Sequence, residues 1–252
     1  MQIQKALYPE GPRICHVAVL HPPGGIAAGD RLSVSARLGS DSRVCLITPG
    51  ASKWYRCERG DAQQRLHFHV GAGAAIEWLP RENILFDASQ VGMTLDVELE
   101  PGGQFLGWEI LCFGRRASRE RWQRGGLRLR TRVSLAGRVL WRERADVSAG
   151  SGFDTSPIGL AGFSGSGTLL CAGRDIAAPL LNACRGIERR AVDSRIGITT
   201  LPGMLLARYL GHSSQDAMQW FTALWGQLRP ALLGVRLPRR DFGLVEALTL
   251  WN

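Results

Sequence analysis

No stretch of this 252-residue sequence reaches the roughly 18 consecutive apolar residues of a membrane-spanning helix, so no transmembrane segment is expected. The start, Met1-Gln-Ile-Gln-Lys5, lacks the apolar core of an export signal, and a cytoplasmic location is the expectation. Cysteines never stand in CxxC spacing. Cys15, Cys45, Cys57, Cys112, Cys171 and Cys184 are scattered, and several fall inside apolar runs such as Val44-Cys45-Leu46-Ile47. Core thiols in a reducing compartment explain them better than a disulfide framework. The phosphate-binding glycine loop of nucleotide hydrolases is missing: Gly50-Ala-Ser-Lys53 resembles its end but has no upstream glycine. Neither a GxSxG nucleophile elbow nor an HExxH zinc helix occurs, and Gly162-Phe-Ser164-Gly-Ser166 fails the elbow at its fifth position. A catalytic reading therefore has little to rest on, and no enzyme activity is expected.

Lysine is scarce as well. Lys5 and Lys53 are the only two, so the net charge of +9 is carried by arginine. Eight arginines crowd between Arg115 and Arg132. A basic cluster is the electrostatic footprint of nucleic-acid binding. It is equally the solvated face of a β-structure or a contact surface for an acidic protein. No helix-turn-helix, RNP-like motif, zinc finger or aromatic-interleaved basic stripe accompanies the cluster, so no nucleic-acid partner is expected.

What is present is alternation. Leu32, Val34, Ala36 and Leu38 alternate with polar residues, as do Leu66, Phe68 and Val70, then Leu95, Val97 and Leu99, then Leu127, Leu129, Thr131, Val133 and Leu135. A period of two marks strands with one face buried. Glycine-containing turns at Gly39-Ser-Asp-Ser, Gly71-Ala-Gly-Ala, Pro101-Gly-Gly-Gln and Ala136-Gly-Arg separate them. Each reads as strand, tight turn and returning strand, recurring about every thirty residues. Residues 1–145 are thus expected to form a body of stacked β-hairpins, a mainly β, layered and solenoid-like arrangement of sheets.

Residues 146–252 are expected to add a small α+β part with about two helices. The Gly/Ser-rich stretches at 148–153 and 162–167 open it. One helix is predicted from about Ile176 to Arg190. Another starts after Ser213 or Ser214 and places Met218, Phe221, Trp225, Leu228 and Leu232 on one face. Between them Ile196–Thr200 and Leu205–Leu210 read as a strand pair.

Several polar residues stand out. His67 and His69, two apart on a strand, face one way and could hold nickel, copper or zinc, although a polar strand face explains them as simply. Cys15 and His16 point to opposite faces, so core packing of Cys15 is expected rather than chelation. His21, before two prolines, could ligate or cap; His212, just before a helix start, suits a boundary role. Asp30 follows Gly29 where a strand resumes, and a turn carboxylate bonding its own backbone is the simpler reading. Ser52 and Lys53 sit between a strand end and the Trp54-Tyr55 pair. Glu109 and Glu143 lie in apolar strand runs, where a carboxylate must be paired, hydrated or functional.

Four runs together resemble one known family. They are Leu20-His-Pro-Pro-Gly-Gly-Ile-Ala-Ala-Gly-Asp30-Arg31, Thr48-Pro-Gly-Ala-Ser-Lys-Trp-Tyr-Arg-Cys57, Glu77-Trp-Leu-Pro-Arg-Glu82 and Trp108-Glu-Ile-Leu-Cys-Phe-Gly-Arg-Arg116. With Gln227-Leu-Arg-Pro-Ala-Leu-Leu-Gly234 they are similar to the UreD (UreH) family of urease accessory proteins, over roughly residues 2–235. The resemblance implies a non-catalytic protein of layered, helically arranged β-sheets. It would bind urease apoprotein, together with UreF and through it the GTPase UreG, and help deliver nickel as a transient cargo. A polar passage proposed for the family matches Asp30, Ser52, Lys53, Glu109 and Glu143 here. Oxygen ligands and water pass a divalent ion along weak successive sites, whereas Lys53 repels a cation unless paired. Two departures from the family pattern stand at the ends. The chain begins almost at Tyr8-Pro-Glu10, where relatives are expected to carry further strands, and Pro238-Arg-Arg-Asp-Phe-Gly243 replaces the usual ending. An arginine-rich nucleic-acid module and a stand-alone metal binder built on His67 and His69 are the competing classes.

Overall fold

The computed structural model describes residues 1–188 and 193–234. Its strands are β1 (Gln2–Ile3), β2 (Cys15–Leu20), β3 (Arg31–Leu38), β4 (Arg43–Ile47), β5 (Ser52–Trp54), β6 (Ala62–Val70), β7 (Ala75–Leu79), β8 (Asn83–Leu85), β9 (Ser89–Leu99), β10 (Gln104–Phe113), β11 (Gly125–Leu135), β12 (Arg138–Ser148), β13 (Gly165–Ala172), β14 (Ser194–Leu201) and β15 (Met204–Gly211). The helices are α1 (Ala178–Arg185) and α2 (Ser214–Leu233).

Two sheets face each other. The larger has ten strands, in the order β1-β2-β4-β7-β10-β13-β15-β14, with β8 paired to β10 and β5 to β8. The smaller has five, in the order β12-β11-β9-β6-β3. Successive coils stack in parallel. Arg31 pairs with Gln63 in one sheet and Arg43 with Ala75 in the other, an offset of 32 residues in both. Ala62 then pairs with Val91 and Ala75 with Gln104, an offset of 29 in both. The two sheets therefore advance in step, as a β-solenoid does.

The turns at 39–42, 71–74 and 101–103 are not hairpins. Each carries the chain from a strand of the smaller sheet to one of the larger, and the strands it joins are not paired. Only Ala136-Gly137 among the four glycine turns joins antiparallel neighbours, β11 and β12. Gly73 and Gly102 take φ of +66° and +75°, which suits an arch as well as a hairpin. Local turn chemistry does not say which strand becomes the partner.

The two sheets also bury their residues differently. The smaller has one face on the core and one toward water, so β6 alternates strictly between buried and more exposed positions. The centre of the larger sheet is covered on both faces, and β7 is buried at every position, while the sheet's edge strand β14 is not. Between the sheets pack Val34, Phe68, Trp78, Val97, Phe105 and Leu206. On the opposite face of the larger sheet, Phe221, Leu224, Trp225 and Leu228 of α2 pack in a cluster with Leu79, Ile110, Leu169 and Ala207. Gly167 of β13 makes room there, since a Cβ would lie 2.8 Å from the Phe221 ring.

Helix α2 begins at its cap, where Ser213 Oγ accepts from the Asp216 amide at 3.1 Å. Met218, Phe221, Trp225 and Leu228 share its buried face; the side chain of Leu232 lies outside the described residues. Helix α1 is shorter than periodicity suggests: it ends at Arg185, and the Gly186 amide makes the last helical bond, to the Asn182 carbonyl at 2.9 Å. Arg190 and the tail from Pro238 lie outside the described residues. The strand pair expected at 196–210 is present as β14 and β15, which extend the larger sheet.

Candidate functional site

Register brings three polar side chains of the larger sheet into one row. Glu109 of β10 stands opposite Thr168 of β13, and Thr168 opposite Arg208 of β15. All three look into the space between the sheets. From the smaller sheet Glu143 of β12 and its register partner Thr131 face them, with Gln64 of β6 close by. Arg208 joins the sheets: Nη2 donates to Glu143 Oε1 at 2.7 Å and Nη1 to Thr168 Oγ1 at 2.7 Å.

Glu109 has no hydrogen bond or ion pair among the described residues. Burial pushes its carboxyl up, the negative charge of Glu143 adds to that, and Arg208 opposes both; the outcome is a pKa of about 7. The cavity bounded by Gln64, Glu109, Thr131, Glu143 and Thr168 measures about 30 Å³. That is room for a water molecule or two among polar partners. Two carboxylates, two hydroxyls and an amide oxygen form a weak oxygen-rich donor set. A divalent ion entering it would displace the proton that Glu109 holds near neutrality.

The other expected positions stand apart. Ser52 opens β5 and faces the same inter-sheet space as Trp54, with its amide bonded to the Glu82 carbonyl at 2.9 Å. Lys53 points to the opposite face and is exposed, bordering a cavity of about 330 Å³ with Cys112, Arg115, Ser164 and His212. Asp30 Oδ2 accepts from the Ala27 amide at 2.8 Å, closing the loop before β3. The same loop docks on β5, where the Ile26 amide reaches the Lys53 carbonyl at 2.7 Å. No hydrogen bond or ion pair among the described residues links Asp30, Ser52 or Lys53 to Glu109 or Glu143. His67 and His69 lie on the outer face of the smaller sheet, away from this space.

One buried group escaped the sequence reading. Arg229 of α2 is fully buried. Its Nε donates to Glu77 Oε1 at 2.8 Å, and its Nη1 and Nη2 donate to the two Glu10 oxygens at 2.7 Å each. Trp225 Nε1 donates to Glu77 Oε1 at 2.5 Å, and His16 Nε2 lies 2.8 Å from Glu10 Oε1. Burial pushes the Glu10 carboxyl up, but hydrogen bonds from His16 and Arg229 outweigh it and hold the pKa at about 2. Burial acts to lower the Arg229 pKa, and the two carboxylates reverse that and raise it. The rule that singled out Glu109, a carboxylate in an apolar strand, applies equally to Glu77 in Ala-Ile-Glu-Trp-Leu. Here too Cys15 and His16 exchange their expected roles: His16 is the buried one, because Glu10 gives its imidazole a partner.

The remaining candidates are structural. His21 Nε2 lies 3.0 Å from the Gly25 carbonyl across the His-Pro-Pro-Gly-Gly turn. His212 Nδ1 accepts from the Ser164 amide at 3.3 Å, at the boundary before α2. All six cysteines are free, and burial raises the Cys45, Cys171 and Cys184 thiols, the last to about 11. Burial keeps those three thiols protonated near neutral pH. Five of the eight clustered arginines have carboxylate partners: Arg115 with Glu120, Arg124 with Asp87, Arg128 and Arg130 with Asp146, and Arg132 with Asp96.

The family model described as "UreD urease accessory protein" matches residues 1–242. A protein named "Urease accessory protein UreD" from Methylobacillus flagellatus is 46% identical over 228 residues, covering 90% of this chain and 80% of its own. Its namesake from Dechloromonas aromatica is 46% identical over 237 residues, covering 93% and 82%. That from Azoarcus sp. is 44% identical over 241 residues, covering 94% and 83%.

Proposed function

The chain belongs to the UreD family of urease accessory proteins, and from that premise we propose that it serves urease maturation as a non-catalytic scaffold and conduit for nickel. The observation that carries the conduit is the pair of facing carboxylates, Glu109 and Glu143, bordering a polar, water-sized cavity between two sheets that otherwise meet through apolar side chains. Nickel is the cargo of this path, not a resident cofactor. A conduit needs donors that bind a divalent ion and release it, and a protonatable Glu109 beside an Arg-paired Glu143 provides weak affinity of that kind. Asp30, on the loop against β5, and Ser52, on β5, are the outer positions proposed for the same path. Lys53, pointing to the other face, is assigned a structural role rather than a liganding one.

The proposed partners are urease apoprotein, UreF and, through UreF, the GTPase UreG, in the cytoplasm. No helix among the described residues is long and apolar enough to cross a membrane. Ion pairing within the arginine cluster weakens the field that a nucleic acid would meet, which favours a protein partner over the nucleic-acid reading.

Co-purification of this chain with UreF and urease apoprotein, followed by urease assays at limiting nickel, tests the proposal. The expected result is a complex and nickel-dependent activation that requires the chain. Activation at the same rate without it would contradict the role.

A further inference from the structure

The outer face of the smaller sheet carries a second group of metal-ligating side chains, unrelated to the inter-sheet gap. His67 of β6 and Asp96 of β9 are register partners, and so are His69 and Glu98 one step along the same strands. One donor atom each from His67, Asp96 and Glu98 lies within 4.8 Å of the others. Donors about 2.1 Å from a shared ion stand up to about 4.2 Å apart. Closing the difference takes small side-chain rotations on a fixed strand frame.

From this geometry we infer that His67, Asp96 and Glu98 form a surface site for a late first-row divalent ion of the nickel and zinc class. Three further observations support it. Asp96 Oδ1 is buried without a hydrogen-bond partner, while Oδ2 stands 3.6 Å from Arg132 Nη1. A desolvated acceptor left unpaired is costly, and an ion would satisfy it. His67 makes no hydrogen bond or ion pair among the described residues, so its ring nitrogens are available. His69, by contrast, is engaged: its Nδ1 lies 3.6 Å from Glu98 Oε2 and its Nε2 3.1 Å from Glu100 Oε1. Through that contact His69 acts as a positioning residue for Glu98.

One imidazole and two carboxylates suit zinc, nickel or cobalt more than magnesium. Three protein donors leave coordination positions to water, so the bound ion exchanges readily. The opposing charges are Arg132, 3.6 Å from Asp96, and Arg37, the register partner of His69, set against Asp96, Glu98 and Glu100.

Isothermal titration of the purified full chain with nickel chloride, and separately zinc chloride, tests this. The wild type is expected to bind one ion at this site. His67→Ala and Asp96→Asn should each weaken that binding at least about tenfold, and His69→Ala by about tenfold or less. Circular dichroism must show each variant folded; His67→Gln replaces His67→Ala if the alanine fails to fold. Absence of binding by the wild type, or unchanged affinity in the folded His67/Asp96 double variant, would overturn the inference. So would loss of the ion in Glu109→Gln but not in His67→Ala, since the ion would then lie between the sheets.

Discussion

Two groups in this molecule, one buried and one partly open to solvent, use the same ingredients, one guanidinium and two carboxylates, to different ends. Under α2, Arg229 bonds both Glu10 and Glu77, and His16 and Trp225 take further carboxylate oxygens. Between the sheets, Arg208 bonds Glu143 and the Thr168 hydroxyl but leaves the second carboxylate, Glu109, without a partner beside a water-sized cavity. The first group is closed: its donors and acceptors are matched and its charges are fixed. The second is open: one carboxylate holds a proton near neutrality and has lone pairs to offer. Satisfied buried charge fixes a fold, whereas partly satisfied buried charge beside water is available for chemistry.

The sharpest break in this comparison is Arg229→Met. It strands two carboxylates and should destabilise the chain by about 3–5 kcal/mol, read from urea denaturation. Arg208→Met should cost far less, because that pair reaches solvent on the arginine side.

Acid should separate the groups next. Glu10 titrates at about 2 when folded, below its ordinary 4.5. The stability it contributes is present above pH 4.5 and is lost as pH falls toward 2. Melting temperatures of wild type and Glu10→Gln should therefore converge as pH falls below about 4.5.

Glu109 behaves in the opposite sense. Its folded pKa of about 7 lies above the ordinary 4.5, so its stability is fullest below 4.5 and declines as pH rises through 7. Glu109→Gln should remove that decline and melt higher than wild type at pH 8, by up to about 3 kcal/mol.

The smallest effect is expected for Arg208→Met itself, about 0.5–1 kcal/mol by the same denaturation. Equal losses from Arg208→Met and Arg229→Met would erase the distinction between the two groups.

How much of this was legible depended on range. The smaller sheet announced itself through strict alternation at Leu66, Phe68 and Val70, because water covers one of its faces. Stacked layers followed from the turn spacing, but the partner of each strand did not. A glycine arch between sheets and a glycine hairpin look alike over four residues, and only contacts about thirty residues away separate them. Glu109 and Glu143 were visible because charge inside an apolar strand is conspicuous. Arg229 was missed because its carboxylates stand 152 and 219 positions away in the chain. His16 was assigned to the wrong face because alternation reveals that two faces exist, not which one is inward. The runs that carry the family resemblance prove partly architectural. Trp54 Nε1 donates to Asn83 Oδ1 at 3.0 Å, the Arg81 amide to Thr48 Oγ1 at 2.9 Å, and Trp108 Nε1 to the Pro80 carbonyl at 2.8 Å.

The most direct test of the open group's role is urease activation at limiting nickel with the Glu109→Gln/Glu143→Gln variant, after confirming that it folds and still co-purifies with UreF and urease apoprotein. The account predicts an intact complex that activates urease at least about tenfold more slowly than wild type, a loss on the scale of removing a metal-handling group. Activation at the wild-type rate by that intact complex would contradict it.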